Sequence, residues 1–168
     1  MNILLVSGGP TLTKQVTTAL PSDAEVLEVR TPQRALALLD EAEHRFDVVL
    51  ADGDTHPAGG FYLVREMRAR QTDGQELPPV ALLLARPQDE YLARWAQAEA
   101  WVVKPVDPFD LAEVLDALVE QRPVPALPGV GVLGHAPQLG PGGGTTADRT
   151  IVSGLRPELE AAGSDHDA

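Results

Sequence analysis

The sequence predicts an α/β domain, a doubly wound five-stranded parallel sheet with helices on both faces over residues 1–122, followed by a disordered acidic Pro/Gly-rich tail over residues 123–168. Three observations predict it. Five short apolar runs alternate with five amphipathic stretches, and repeated strand–helix–strand crossovers build a parallel sheet buried on both sides. All seven aromatic residues, Phe46, Phe61, Tyr62, Tyr91, Trp95, Trp101 and Phe109, precede Arg122. Residues 123–168 instead hold 9 of the 15 glycines and 6 of the 15 prolines, a composition with too little apolar surface to offset chain entropy.

The first strand is the apolar run 3–6, which ends in Ser7, Gly8, Gly9 and Pro10. Leu12, Val16, Ala19 and Leu20 then recur at helical spacing until Pro21 stops them. Residues 25–29 alternate polar and apolar, as an edge strand does. Thr31 before Pro32 pairs a hydroxyl cap with a proline at the first helical position, and Ala35, Leu36, Leu38, Leu39 and Ala42 continue that helix. The third strand is the run 48–51, which delivers Asp52 to its C-terminal end. From Gly60, Leu63, Val64 and Met67 form an apolar stripe among Arg65, Glu66, Arg68 and Arg70, the third helix.

A fourth buried run covers residues 79–85, and a fourth helix starts at Pro87 and carries Tyr91, Leu92, Trp95 and Ala96. Trp101, Val102 and Val103 make a fifth strand that ends at Lys104 and Pro105. Asp107 before Pro108 repeats the cap-and-proline start, and Leu111, Val114, Leu115, Leu118 and Val119 carry the fifth helix to about Arg122. Beyond it the pattern stops, apart from a transient helical turn expected at residues 157–162.

Charge narrows the functions available. There are 25 acidic against 13 basic side chains, a net charge of −12, and no segment offers the basic stripe that phosphate neutralisation on nucleic acid requires. An anionic membrane surface would repel the chain as well. With no cysteine there is no disulfide and no thiolate nucleophile or ligand. The first ten residues lack a basic region, and their apolar run is too short for a signal peptide or membrane span, so a cytoplasmic protein is expected.

The candidate chemistry lies beyond the strand ends, where open α/β sheets gather their ligands. Asp52 stands after the third strand, Leu84 near the end of the fourth and Lys104 after the fifth. From the residues alone, Asp52 is either a nucleophile or one half of a structural ion pair with Lys104. Trp101 reads as core. Asp52, Asp54 and His56 at alternate positions have no further acidic or histidine neighbours to complete a dedicated metal site. Lys14, after the Ser7–Gly9 turn, lacks the flanking glycine and hydroxyl of a phosphate loop. The Asp52 and Asp54 pair also resembles that of haloacid-dehalogenase phosphatases, which carry it on the first strand.

Residues 1 to about 122 resemble a two-component response-regulator receiver domain of the CheY-like type, in a divergent or pseudo-receiver form. The resemblance rests on the Asp47 to Asp52 run, on Gly60 eight residues after the acceptor position, on Lys104 followed by Pro105, and on Trp101 three residues before that lysine. It implies a flavodoxin-like fold and a stand-alone signalling protein of a phosphorelay, with Asp52 as phosphoacceptor, Lys104 as the phosphoryl charge partner, and Leu84 and Trp101 at the switch positions. It implies no enzyme beyond a phosphoacceptor with slow self-dephosphorylation. Ser7 and Gly8 stand where the family carries its metal-binding acids and Leu84 where it carries a hydroxyl, so Mg2+ would be held weakly, by Asp52 and Asp54. The implied partners are a histidine kinase or phosphotransfer protein and a downstream protein on the face of the fourth helix, fifth strand and fifth helix, where Tyr91 and Trp95 are candidates. A homodimer is among the expected assemblies. A pseudo-receiver that binds proteins independently of phosphorylation is the alternative.

Overall fold

The computed structural model describes residues 1–41, 43–55 and 59–134. These belong to one compact unit, Met1–Pro137. His56 and the helical turn expected at residues 157–162 lie outside the described residues. The elements run β1 (Asn2–Val6), α1 (Pro10–Ala19), β2 (Glu25–Val29), α2 (Pro32–Asp40), β3 (Val48–Asp52), α3 (Gly59–Thr72), β4 (Val80–Leu84), α4 (Glu90–Ala96), β5 (Ala100–Val103), α5 (Pro108–Val119) and β6 (Val130–Val132). The sheet order is β2-β1-β3-β4-β5-β6. Every pairing from β2 to β5 is parallel, whereas β6 runs antiparallel to β5.

The alternation of side chains along each strand builds two apolar layers. Leu4, Val6, Val49, Ala51, Leu82, Leu84 and Trp101 meet α2, α3 and α4 on one face. Ile3, Leu5, Val48, Leu50, Ala81, Leu83 and Val102 meet α1 and α5 on the other. Strands covered on both faces are nearly continuous apolar runs, which is why β1, β3 and β4 are recognisable from the sequence. The two cap-and-proline signals also hold. The Thr31 hydroxyl accepts from Arg34 N at 3.2 Å, and the Asp107 carboxylate accepts from Phe109 N at 2.8 Å and Asp110 N at 3.1 Å.

The structure differs from the expectation at the fourth helix and in the sheet. The fourth helix starts late, because Pro87–Asp89 is a 3-10 turn whose buried Asp89 turns back to take the Arg86 guanidinium at 2.8 and 3.0 Å. The sheet has six strands rather than five. Residues 123–134, expected within the disordered tail, return along β5. Gly129 O accepts from Val103 N at 2.8 Å and Glu99 O accepts from Leu133 N at 3.1 Å. The physical reason is an edge: without β6, β5 would end the sheet with an unpaired row of backbone groups. Val124, Val130 and Val132 also pack on the layer under α5. Glycine density hid a strand whose central position has to be glycine.

Candidate functional site

The end of β3 is fixed by close backbone approaches. Gly53 N donates to Leu83 O at 2.9 Å, and Gly60 N donates to Gly53 O at 3.3 Å. A Cβ on Gly60 would lie 2.6 Å from Asp52 O, so only glycine lets α3 start this near the strand. Thr55 N donates to Asp52 O at 3.2 Å, and the buried Thr55 hydroxyl donates to Val6 O at 3.4 Å, tying the loop to β1. Thr55 carries no sequence signal of its own, since a threonine in a polar loop is ordinary.

On this platform the Asp52 carboxylate, only 13% exposed, meets Lys104 from the end of β5. Lys104 Nζ donates to Asp52 Oδ1 at 2.9 Å, and Asp54 N donates to the same oxygen at 3.1 Å. Lys104 also lies 3.6 Å from Asp54 Oδ2, an exposed carboxylate. The main chain of Lys104 is held in turn, because its N donates to Leu84 O at 2.8 Å. The Lys104–Pro105 peptide is cis. A carboxylate with one oxygen gripped by a cation and an amide is both oriented and partly neutralised, which suits it to receive an anionic phosphoryl group.

The remaining positions are apolar or small. The register sets Val6 beside Ala51, so Ser7 comes next to Asp52 and Gly8 follows it. Ser7 is fully buried, and its hydroxyl is occupied locally with Gly9 N at 3.2 Å and Gly9 O at 3.3 Å. Leu84 and Trp101 are both buried in the layer under α4, where the Arg94 guanidinium lies 4.8 Å from the Trp101 ring centroid. Among the described residues no three acidic or histidine side chains converge on a metal position. Mg2+ prefers one or two carboxylates with waters and phosphate oxygens. Asp52 and Asp54 supply that minimum, and Lys104 already reaches both. The donor set therefore does not fit a tightly held resident ion.

No family model matches the chain. A curated relative, an uncharacterized response regulatory protein of Mycobacterium tuberculosis, is 32% identical over 97 residues, which cover 58% of this chain and 69% of the relative. The chain belongs to the response-regulator receiver family. Solved structures agree on the fold. A CheY-like receiver domain protein of Methanospirillum hungatei superposes with a TM-score of 0.60 at 20% identity, over 71% of this chain and 94% of that one. A Francisella response-regulator receiver domain gives 0.62 at 15% identity, over 71% and 97%.

The receiver family places this chain in two-component signalling, whose receiver domains are in general signalling modules rather than enzymes. Of the residues singled out from the sequence, the receiver fold brings Asp52, Asp54 and Lys104 together and buries Leu84 and Trp101 in the core. Tyr91 and Trp95 are exposed on α4, with Arg65 from α3 stacked 4.8 Å from the Trp95 ring centroid. The expected partner face is not fully open, because β6 lies along β5 in its middle. No helix among the described residues is long and apolar enough to cross a membrane.

Proposed function

We propose that this receiver accepts a phosphoryl group on Asp52 from a phosphohistidine donor, a histidine kinase or a phosphotransfer protein. The observation that carries the reading is the 2.9 Å contact between Lys104 Nζ and Asp52 Oδ1 at the C-terminal edge of the sheet. An Asp52 carboxylate oxygen attacks phosphorus, the bond from phosphorus to the donor imidazole nitrogen breaks, and its electron pair stays on that nitrogen. Lys104 offsets the added negative charge, and the Asp54 amide keeps the carboxylate oriented. Mg2+ binds weakly at Asp52 and Asp54. Slow hydrolysis of the acyl phosphate resets the protein, so it is an acceptor and not a turnover catalyst. It works in the cytoplasm, and the exposed Tyr91 and Trp95 on α4 present it to a downstream protein.

A second reading, a binding module independent of phosphorylation, is favoured by one feature. Leu84 has no hydroxyl to grip a phosphoryl oxygen, and Trp101 is already buried beside it. Acetyl phosphate or beryllofluoride with Mg2+, read by intact mass and Trp101 fluorescence, separates the two. The acceptor reading expects an adduct that Asp52→Asn abolishes. An absence of adduct and of fluorescence change at high Mg2+ leaves the binding module as the function.

A further inference from the structure

Among the described glycines, Gly131 is the one most closely approached by a side chain, that of Trp101. The register sets them opposite each other in the antiparallel β5–β6 pair. A Cβ on Gly131 would run into the indole Nε1 and Cε2 of Trp101, so the indole lies across the glycine backbone. Any strand seated on the β5 edge therefore needs glycine at that place. Its neighbours must be short and apolar, since Val130 and Val132 pack into the layer under α5. The chain carries such a strand, and so does every other copy of it.

The path to β6 is also informative. β5 rises to Lys104, α5 descends again over 12 residues, and β6 starts beside Val102 near the top. The 10 residues between α5 and β6 must climb back. The descent of α5 is about 18 Å, and ten extended residues reach roughly 33 Å. Six residues would reach only about 20 Å, too little to turn at both ends.

We infer that residues 123–134 are a detachable strap: in the monomer they close the β5 edge over Trp101, and when lifted the same Val-Gly-Val strand pairs with β5 of a second copy. The exchange uses identical contacts in both states, so linker length and protein concentration set the balance between them. The strap rests on a single strand pairing and a patch of half-buried valines, whereas β1, β3 and β4 are paired on both sides, so it opens before those central strands.

The test uses the full chain with Trp95→Phe, which leaves Trp101 as the sole tryptophan. Hydrogen exchange on this protein should show the Val103 and Leu133 amides exchanging at least tenfold faster than the Val49 amide, which is bonded to Pro79 O. Deleting residues 123–126 should yield a dimer by light scattering, with Trp101 still shielded from quencher. Adding Gly131→Val to the deletion should return a monomer with an exposed, quenchable Trp101. Exchange of all three amides at one common rate overturns the strap. So does a deletion variant that stays monomeric or fails to fold, and so does a dimer that survives Gly131→Val.

Discussion

Removing Lys104 separates the two roles its contact with Asp52 can have. In Lys104→Met the carboxylate keeps the Asp54 amide and loses its cation. The pair is partly exposed, so stability should fall by only about 1 kcal/mol in urea titration. Phosphoryl uptake from acetyl phosphate should fall at least tenfold, and an unchanged uptake rate would reduce the lysine to a structural partner. Gly8 offers the complementary gain. It follows Ser7 just past the end of the β1–β3 pairing, and a Cβ built on it meets nothing within 4 Å. Gly8→Asp should therefore add a metal ligand without steric cost, and calorimetric titration should show Mg2+ binding about tenfold tighter than in the parent. The site residues were legible to different degrees for physical reasons. Asp52 and Lys104 announce themselves because a charge at the end of an apolar strand is conspicuous. Thr55 and Gly131 act through close approach, and packing distance leaves no mark on composition.

At the scale of elements, the strands and helices that the sequence marks are those held by periodic burial or by a cap. Thr31 and Asp107 each satisfy backbone donors at a helix start, so Thr31→Ala and Asp107→Ala should each cost about 1 kcal/mol and lower the thermal midpoint by a few degrees. Gly60→Ala should cost more, about 2 kcal/mol, because its methyl group would press on Asp52 O at 2.6 Å and push α3 off the strand. That variant should also lose phosphoryl uptake, since the same approach fixes the Asp52 backbone. β6 was illegible because its pattern is short and lies among prolines and glycines. Gly131 belongs to the strand only because Trp101 fills the place of its side chain. The α5 boundary moved for a local reason: Gln121 takes φ 54 and Arg122 N turns back to Ala117 O at 2.9 Å. Glu120 and Glu113 then hold the Arg122 side chain, and their hydrogen bonds favour its charged form.

Across the whole molecule, the alternation of apolar runs and amphipathic helices was enough to give a doubly wound parallel sheet, and its strand order carries Asp52 and Lys104 to one end. Ser7, Gly8 and Leu84 were readable at that end from their positions; what composition could not give is that Asp52 and Lys104 meet there in direct contact. The proposed acceptor role of Asp52 rests on this reduced set. The most direct measurement is chemical trapping: incubate the protein with acetyl phosphate and Mg2+, reduce with borohydride, and map the peptides by mass. An acyl phosphate on aspartate is reduced to homoserine, so phosphoryl uptake at Asp52 should leave homoserine at position 52, with Asp47 and Asp54 unmodified. Aspartate at position 52 in every peptide, or homoserine at one of the other positions instead, would contradict it.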